Sequence, residues 1–436
     1  MNHAHESPGA VILGGSFACL EAARNLDKHG VRVCVLGSAT SVARFSRSVG
    51  RFVKWPRELK DEELPNFLVA MTEKFGVRGW VLFPSSDEHL RVLAQHRSLL
   101  MEHFVLTTPP WETLRFLYDK RLTYTLAQKV GVPIPQTYIT GNADQLASLD
   151  IEFPVVLKPA INSRFLETTN RKAYRANDRQ ELQKLYAAMS RVIPPSEVIV
   201  QDLLPEPSRN LFSFAGYYRQ GEPIVGLSVK RTRQLPRDFG RSSSFVVAVE
   251  VPGLRELASQ LLRAIHYTGL AEVEFMWNVK RARFELLEVN ARLWAWQGLA
   301  AAAGLDLPYM AFAYALGQNP PIGAMRQGAK WVRLLTDVRA AAQEIRSGTM
   351  SIRQYLTSLR GATAFAVFSA SDPMPFIAEP LLLLLDHLNR GASRRRRGFP
   401  LHRFASLREN DIDSVTRQGE DLKAIKTDAD DAGQNV

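Results

Sequence analysis

The chain has 436 residues, of which 46% are hydrophobic and 23% charged, and its formal net charge is +11. That length allows two or three domains with sizeable cores, and the composition is typical of a globular protein. The two cysteines, Cys19 and Cys34, cannot build a disulfide framework, so we expect reduced core thiols in a cytoplasmic protein. We expect no signal peptide from the opening MNHAHESPGA, and the apolar run at residues 381–385 is too short to span a bilayer.

Part of the positive charge lies in one run of arginines, residues 394–397. Such a run is able to bind nucleic acid or an anionic membrane surface. We favour a solvated basic tail, because the run lacks interleaved aromatic residues and lies beside a polar C-terminus, and we predict no specific nucleic-acid partner. Residues 381–388 allow two interpretations, a core helix or an interfacial helix held at a membrane with these arginines, and we favour the core helix.

The first elements predict the opening of a doubly wound α/β sheet. Ala10–Leu13 reads as a buried strand, Gly14-Gly15-Ser16 as a turn, residues 17–29 as a helix and residues 31–36 as a second strand. A glycine turn between a strand and a helix can hold a dinucleotide pyrophosphate. The pattern is not G-x-G-x-x-G, and no acidic residue follows the second strand to bind a ribose. We therefore favour a tight turn within a Rossmann-like domain.

Two polar segments are candidates for contact with an acceptor substrate. Ser85, Ser86, Asp87 and Glu88 follow a predicted strand at residues 80–83, and open α/β sheets place their ligand crevice at this end of a strand. The second segment joins two later strands and contains Arg241, Ser242 and Ser243. An arginine with hydroxyl groups suits a carboxylate. Ordinary turn chemistry explains either segment equally well.

The middle of the chain predicts one helix followed by short strands. The helix is expected over residues 111–130, with Gly131 and Pro133 as stop signals. Segments typical of strands follow at residues 155–158, 198–204, 211–218, 223–235 and 245–251. A helix over residues 254–267 precedes a hairpin, with strands at 271–277 and 284–294. Beyond it, residues 297–302 and 351–359 read as helices and residues 331–335 as a strand.

The hairpin carries an unusual set of polar residues. Glu272 and Glu274 share one face of the first strand, and Glu288 and Asn290 lie on the corresponding face of the second. Like charges so close repel each other unless a cation offsets them, and Mg²⁺ prefers such hard oxygen ligands. The alternative is an amphipathic hairpin with a solvent-facing polar side. Arg292, which continues the same face, favours a site that offsets negative charge on a transferred phosphoryl group.

The chain resembles the ATP-grasp enzymes, in particular the branch near the carbamoyl-phosphate synthase large subunit and other carboxylate–amine ligases. The resemblance covers roughly the first three quarters of the chain, and it is most specific at GLAEVEFMW followed by LLEVNARLW. It implies that Glu274, Glu288 and Asn290 are ligands of Mg²⁺ or Mn²⁺. It also implies that Arg292 contacts the γ-phosphate of ATP and an acyl-phosphate intermediate.

The resemblance also implies residues that bind ATP. Lys158, at the end of FPVVLK, takes the place of a cation on the α- and β-phosphates, and Lys120 matches an earlier cation that also reaches ATP. The segment VIVQDLLP matches the hinge that meets adenine through backbone groups. In this chain the hinge residues are Gln201, Asp202, Leu203 and Leu204, and Asn210 lies near the expected place of an acid that holds the ribose.

One departure from the family pattern concerns the loop that covers the phosphates. No glycine occurs between Lys158 and Gly216, whereas the family usually carries a loop rich in glycine and serine there. We expect a longer loop with Asn162, Ser163 and Arg164 to cover the phosphates through its side chains.

The predicted fold class is α/β (α+β), with a Rossmann-like pre-ATP-grasp domain at residues 1–110 and a two-part ATP-grasp domain with antiparallel sheets at residues 111–317. The two parts are residues 111–200 and 201–317, a C-terminal region covers residues 318–400, and the polar tail at residues 401–436 is predicted to be disordered.

The predicted function is an ATP- and Mg-dependent ligation. A small-molecule carboxylate is activated as an acyl phosphate and is then attacked by an amine. An ATP-grasp protein that binds ATP but has lost turnover is the alternative, because the glycine-rich loop is missing. The hairpin residues indicate how ATP is used, whereas the loops that select the acid and the amine do not follow from the fold.

Overall fold

Short apolar runs separated by helices build the first sheet. The computed structural model describes residues 7–56, 59–169, 171–236 and 242–396. Its first elements are β1 Ala10–Leu13, α1 Phe17–Lys28, β2 Val33–Gly37, a 3₁₀ helix Val42–Phe45, β3 Arg51–Lys54, α2 Leu64–Phe75, β4 Val81–Phe83, α3 Asp87–Gln95, α4 Arg97–Met101 and β5 Val105–Leu106. The five strands pair in parallel in the order β3-β2-β1-β4-β5. All residues of β1 are fully buried, as parallel strands require, so the predicted doubly wound sheet is confirmed.

The strand order reverses between β1 and β4, so the loops after these two strands meet at one edge of the sheet. Gly14 has a φ of +105°, and a Cβ there would lie 2.2 Å from Ser85 Oγ. A Cβ on Gly15 would lie 2.1 Å from Ser41 Oγ. Close packing against two hydroxyl groups therefore accounts for both glycines, in agreement with the tight turn that we favoured.

A second, smaller sheet follows in the chain. Its elements and neighbours are α5 Trp111–Tyr118, α6 Lys120–Lys129, β6 Thr137–Ile139, α7 Ala143–Ser148, β7 Val155–Pro159, α8 Asn162–Thr169, β8 Tyr174–Ala176, α9 Arg179–Met189, a 3₁₀ helix Pro195–Glu197 and β9 Val198–Asp202. The strands pair in the order β6-β9-β7-β8, and each pair is antiparallel. The antiparallel arrangement predicted for this region is confirmed.

The single helix predicted over residues 111–130 is wrong, because two helices occupy this stretch. Asp119 between them has extended backbone angles, and its side chain accepts a hydrogen bond from Arg121 N at 2.9 Å. An aspartate in this position satisfies a free N–H group at the start of a helix. The break makes Lys120 the first residue of α6, and Lys120 N also donates to Ala160 O at 3.1 Å, next to the end of β7.

The largest sheet takes strands from the remaining chain. The elements are α10 Pro207–Asn210, β10 Leu211–Arg219, β11 Glu222–Leu235, β12 Ser242–Val249, α11 Leu254–Arg263, β13 Gly269–Asn278, β14 Arg283–Asn290, α12 Gly298–Ala302, α13 Leu307–Ala315, β15 Lys330–Val332, α14 Leu334–Arg346, α15 Ile352–Leu359, β16 Ala364–Phe365 and α16 Met374–Arg396. Seven strands pair in the order β14-β13-β10-β11-β12-β15-β16. Buried side chains of α5, α6 and α11 pack with those of β10, β13 and β14 in one core.

The described residues up to Pro380 form one compact unit, and those from Leu381 onward form a second. The finer division into domains stays a prediction. In the second unit Leu381, Leu384 and Leu388 are 60%, 55% and 58% exposed, so the core helix that we favoured for residues 381–388 is wrong. No helix within the described ranges is both long and apolar enough to cross a bilayer. Arg397 and the tail predicted to be disordered lie outside the described residues.

A buried ion pair joins the largest sheet to α14. Arg233 on β11 donates to both carboxylate oxygens of Asp337, at 2.9 and 2.7 Å, and Asp337 is fully buried. Ser244 donates to the same carboxylate at 2.8 Å, and Arg233 also donates to Ser358 at 2.9 Å. The guanidinium lies 4.1 Å from the ring centre of Phe245. Each charge in this pair is therefore matched by several partners, as burial requires.

We expect Asp337→Ala to lower the free energy of unfolding by about 3–5 kcal/mol, because it leaves a buried guanidinium without its counter-charge. Urea denaturation followed by circular dichroism measures this. Glu222→Ala is the matched control, because Glu222 pairs with Arg263 on the surface, at 2.5 Å, where an ion pair contributes little. Equal stabilities of Asp337→Ala and the control would contradict this account of the pair.

Candidate active site

The hairpin of β13 and β14 gathers the predicted carboxylates on one face. Glu272 lies opposite Asn290, and Glu274 lies opposite Glu288. Beyond these pairs the register shifts, so that Phe275 lies opposite Leu286 and Leu287 becomes an extra residue in a β-bulge. A bulge bends and twists its strand locally. Three carboxylates and one amide thus lie together, as the alternation of the sequence predicted.

Hydrogen bonds and one arginine hold these acids in place. Asn290 Nδ2 donates to Glu274 Oε1 at 2.9 Å and to Glu272 Oε2 at 3.2 Å. Arg231 on β11, which is 7% exposed, donates to the other oxygen of Glu274. Ser213 Oγ and Trp296 Nε1 both donate to Glu272 Oε1, at 3.0 and 2.9 Å. Burial raises the pKa of the Glu272 carboxyl to about 8, and repulsion from Glu274 adds to this, so Glu272 acts as a mostly neutral framework group near pH 7.

Glu288 is the carboxylate that borders the cleft. Lys120 Nζ lies 3.5 Å from Glu288 Oε2, and the Glu288 side chain is 23% exposed. Burial alone would raise the pKa of Glu288, but the positive charges of Lys120, Lys172 and Lys158 outweigh it and hold that pKa well below its usual range. Glu288 is therefore an anion surrounded by ammonium groups.

Arg292 connects the hairpin with the first sheet. β14 ends at Asn290, so Arg292 lies two residues past the strand, where Leu293 N donates to Pro84 O at 3.3 Å. Arg292 Nε donates to Asp87 Oδ1 at 2.6 Å, and Nη2 donates to Asn290 Oδ1 at 3.0 Å. Asp87 is the first residue of α3. The crevice of the first sheet therefore supplies a carboxylate that holds the guanidinium.

Lys158 is half-buried near the end of β7. Its ammonium donates to Tyr124 OH at 2.5 Å and to Gln201 Oε1 at 2.8 Å. Burial lowers the pKa of Lys158 to about 7, repulsion from Lys120 adds to this, and the carboxylates of Glu288 and Glu274 oppose it. The charge of Lys158 is thus poised to change near neutral pH.

The predicted hinge, residues 201–204, begins within the last two residues of β9. Gln201 is 1% exposed and its side chain contacts Lys158, so that side chain is not available to a nucleotide. Asp202 lies 3.5 Å from Arg281, and Leu203 N donates to Pro154 O at 3.3 Å. Leu204 is buried.

The other predicted contacts have partners of their own. Asn210 Nδ2 donates to Pro205 O at 3.3 Å, within its own loop. Ser85 Oγ donates to Leu13 O, Ser86 caps α3, and Glu88 accepts a hydrogen bond from Tyr118 OH at 2.8 Å. Ser243 Oγ accepts one from Arg231 Nε at 2.6 Å, whereas Arg241 lies outside the described residues. The roles of these residues toward nucleotide and acceptor stay predictions.

A cleft lies beside Lys120 and the end of the hairpin. Its lining residues are Asp87, Leu117, Tyr118, Lys120, Thr123, Ile161, Asn162, Glu288, Val289 and Asn290. The expected loop after Lys158 is instead helix α8, which begins at Asn162 on the cleft. Only the N–H groups of the first turn of a helix lack an intrahelical partner, so α8 offers fewer backbone donors to phosphate than a glycine-rich loop does. Covering of the phosphates by Asn162, Ser163 and Arg164 stays a prediction.

The hairpin fits a magnesium ion that arrives with a nucleotide. Among the residues that the structure describes, no group of three or more histidine, cysteine, aspartate or glutamate side chains is arranged to hold a metal ion. The hairpin offers the carboxylates of Glu274 and Glu288 and the amide oxygen of Asn290. Mg²⁺ needs only one or two carboxylates from a protein, because it keeps several waters and takes phosphate oxygens from the substrate. The low pKa of Glu288 keeps such a ligand ionised.

The sequence analysis did not predict the contacts that three residues make in the site. Arg231 pairs with Glu274, and its signal is a charged residue in a long, otherwise apolar strand. Tyr124 holds Lys158, and its signal is a spacing of four residues from Lys120, which puts both on one face of α6. Asp87 holds Arg292, a contact that the sequence did not indicate, and its predicted role toward the acceptor stays a prediction.

A Rossmann-like sheet thus precedes a four-stranded and a seven-stranded sheet, and the hairpin of the larger one presents carboxylates to two lysines. These features define an ATP-grasp fold. The family model of the carbamoyl-phosphate synthase L chain, ATP binding domain, matches residues 243–322. D-aspartate ligase from Enterococcus faecium (strain Aus0004) is 23% identical over 300 residues, which cover 65% of this chain and 70% of the relative.

Two solved structures have the same fold. One is the biotin carboxylase domain of Hydrogenobacter thermophilus 2-oxoglutarate carboxylase, in complex with MgADP, ADP and bicarbonate, with a TM-score of 0.58 and 14% identity over 75% of this chain and 74% of that chain. The other is L-amino acid ligase from Bacillus licheniformis, with a TM-score of 0.55 and 15% identity over 74% of this chain and 78% of that chain. The protein therefore has the ATP-grasp fold of these structures.

The pKa of Lys158, about 7, predicts that ATP binds more weakly as the pH rises from 6 to 9. Only the protonated ammonium attracts a polyanion, so above its pKa each unit of pH lowers the affinity by up to about tenfold. Isothermal titration calorimetry at several pH values measures this. Lys158→Arg is the control, because a guanidinium keeps its charge over the whole range. The same pH dependence in both proteins would contradict the role of Lys158.

Proposed function

We propose that the protein is an ATP-dependent ligase that activates a carboxylate as an acyl phosphate and joins it to an amine. The observation that carries the proposal is the cleft lined by Lys120, Glu288 and Asp87. Lys158 interacts electrostatically with Lys120 and Glu288, and Asp87 holds Arg292. The two lysines supply positive charge for a triphosphate. The arginine, held by Asp87 of the first sheet, lies where negative charge would build up on a transferred phosphoryl group.

The residues divide the work as follows. Lys120 and Lys158 contact the phosphates of ATP, and the backbone of the hinge, residues 201–204, contacts its adenine. Glu274, Glu288 and Asn290 hold Mg²⁺ or Mn²⁺. The ion, when bound, offsets negative charge on the phosphoryl group that is transferred. Arg292 offsets charge on the same group and on the acyl phosphate.

The chemistry needs no nucleophilic side chain. A carboxylate oxygen of the substrate attacks the γ-phosphorus of ATP, and ADP leaves. The nitrogen of an amine then attacks the carbonyl carbon of the acyl phosphate, inorganic phosphate leaves, and the nitrogen loses a proton. The protein contributes positioning and fixed charges, which is how enzymes of phosphoryl transfer achieve most of their rate.

The relatives support this class of reaction and suggest where to look for substrates. Two of them are named D-aspartate ligase and L-amino acid ligase. Amino acids are therefore the first amines and carboxylates to test. The two free, buried cysteines also fit a cytoplasmic location.

A screen of carboxylates against amines with Mg-ATP, followed by phosphate release and by mass spectrometry of the product, tests the proposal. We expect Glu288→Gln and Arg292→Ala to lower turnover by about 10²–10³-fold with the active pair, because each removes a charge that acts on the transferred phosphoryl group. Glu250→Gln is the control, since Glu250 is an exposed residue outside the cleft. Unchanged turnover in Glu288→Gln would overturn the assignment.

We expect Asp87→Ala to lower kcat by about 10–100-fold, because a displaced Arg292 no longer meets the reacting phosphoryl group. The dissociation constant for ATP should stay nearly unchanged, since Asp87 holds Arg292 and does not contact the two lysines. Steady-state kinetics and calorimetry together separate the two effects. Asp61→Ala removes a comparable arginine partner on the surface, at 2.5 Å from Arg91, and should leave both values unchanged. Full activity of Asp87→Ala would contradict the proposal that Asp87 positions Arg292.

A second candidate is an ATP-grasp protein that binds ATP without turnover. The observation in its favour is helix α8, which stands where the family carries a glycine-rich loop. Binding of Mg-ATP by the wild-type protein, with no phosphate release from any pair in the screen, would favour this candidate over the ligase.

A further inference from the structure

A continuous chain of hydrogen bonds connects the two sheets on either side of the cleft. Gln201 Nε2 on β9 donates to Thr137 Oγ1 on β6 at 2.7 Å. Lys158 Nζ donates to Gln201 Oε1 at 2.8 Å and to Tyr124 OH at 2.5 Å. Tyr124 OH in turn donates to Leu287 O on β14 at 2.7 Å. This series of hydrogen bonds therefore starts in the four-stranded sheet that contains the hinge, which we call the hinge sheet, and passes through Lys158. It ends on the hairpin that carries the carboxylates.

The chemistry of the groups gives the chain one direction. An ammonium only donates, so the amide oxygen of Gln201 must face Lys158 and its nitrogen must face Thr137. The phenol accepts from the ammonium and gives its single proton to Leu287 O. Tyr124 is 2% exposed and Gln201 is 1% exposed. In such a buried place hydrogen bonds are strong, and the loss of one partner leaves the others unsatisfied.

The β-bulge explains why a tyrosine is needed on α6. Leu287 is the extra residue of the hairpin, and the backbone on either side of the bulge finds partners from α6 and the segment after it. Leu286 N donates to Pro133 O at 2.8 Å, and Leu287 O accepts from Tyr124. Four residues before Tyr124, on the same face of α6, Lys120 reaches Glu288. Helix α6 thus contacts two successive residues of the hairpin, Leu287 and Glu288. Through Tyr124 it also holds Lys158.

We propose that Tyr124 and Gln201 are positioning residues that hold the Lys158 ammonium between the hinge and the hairpin, ready for the phosphates of ATP. This inference rests on the proposed ATP site. An ammonium has three N–H groups, and within the described residues two of those of Lys158 go to Tyr124 and Gln201. The third remains for a phosphate oxygen, in a direction that the two neutral acceptors set.

Charged neighbours of Lys158 cannot set this direction by themselves. Lys120 on α6 repels the ammonium, while Glu288 on β14 and Glu274 on β13 attract it. Glu274 is already paired with Arg231, and Glu288 with Lys120. These charges raise or lower the pKa of the ammonium. The hydrogen bonds to Tyr124 and Gln201 fix its position.

The test compares ATP binding by four proteins in calorimetry: wild type, Tyr124→Phe, Gln201→Met and Tyr186→Phe. Tyr124→Phe removes one hydroxyl group, and Gln201→Met removes the amide at similar volume. We expect each to raise the dissociation constant for ATP about tenfold, because the ammonium is no longer held toward the phosphates. Tyr186→Phe is the matched control, since Tyr186 is equally buried and its hydroxyl bonds Thr140 and Pro195 on the other side of the hinge sheet.

A pH series separates positioning from a general loss of stability. The phenol oxygen stabilises the charged ammonium, so Tyr124→Phe should move the fall in ATP affinity to lower pH, and Tyr186→Phe should not. Absence of ATP binding in the wild type would defeat the proposed function itself. Wild-type binding together with unchanged affinity in Tyr124→Phe and Gln201→Met would overturn this inference. If Tyr124→Phe does not fold, judged by circular dichroism, Gln201→Met decides the outcome by the same measure.

Discussion

Repulsion among acidic side chains on the β13–β14 hairpin is the constraint around which the site is built. Glu272, Glu274 and Glu288 lie on one face, where like charges would destabilise the sheet. The protein resolves this with a different device for each acid. Glu274 is paired with Arg231, Glu288 is surrounded by lysines, and the raised pKa of Glu272, about 8, leaves it mostly neutral near pH 7. Only Glu288 is left as a partly exposed anion, which is the property that a ligand of Mg²⁺ requires.

The charged partners of these acids bring residues from the four-stranded and seven-stranded sheets and from α6 to one place. The cations that offset the hairpin come from other elements, Lys120 from α6, Lys158 from β7 and Arg231 from β11. The first sheet adds Asp87, which holds Arg292. A site of this kind depends on the packing of the sheets, because no single element carries more than part of its charge. In the proposed function, the phosphates of ATP bind where lysines from two elements already face an acid from a third.

Much of the fold and part of the site were accessible from local pattern. The β1-turn-α1 opening, the antiparallel strands and the polar face of the hairpin follow from periodicity, because alternate side chains of a strand share one face. The wrong predictions concern three segments whose structure the hydrophobic periodicity did not indicate. Residues 111–130 look like one helix until Asp119 is seen to cap α6, residues after Lys158 form α8, and most leucines of residues 381–388 are exposed. The Asp119 cap is a contact between near neighbours that helical periodicity does not show, whereas the exposure of the leucines depends on tertiary packing.

The sequence by itself determined the kind of chemistry: three acids, an amide and an arginine spaced along a hairpin predict a cation site that works on phosphate. Only the tertiary structure decided how those groups are used. It paired Arg231 with Glu274 across 43 positions of the chain and Arg292 with Asp87 across 205 positions. It also placed Tyr124 between Lys158 and the bulge at Leu287. Spacing along a strand shows which residues share a face, but which distant side chain meets that face depends on how the sheets and helices pack.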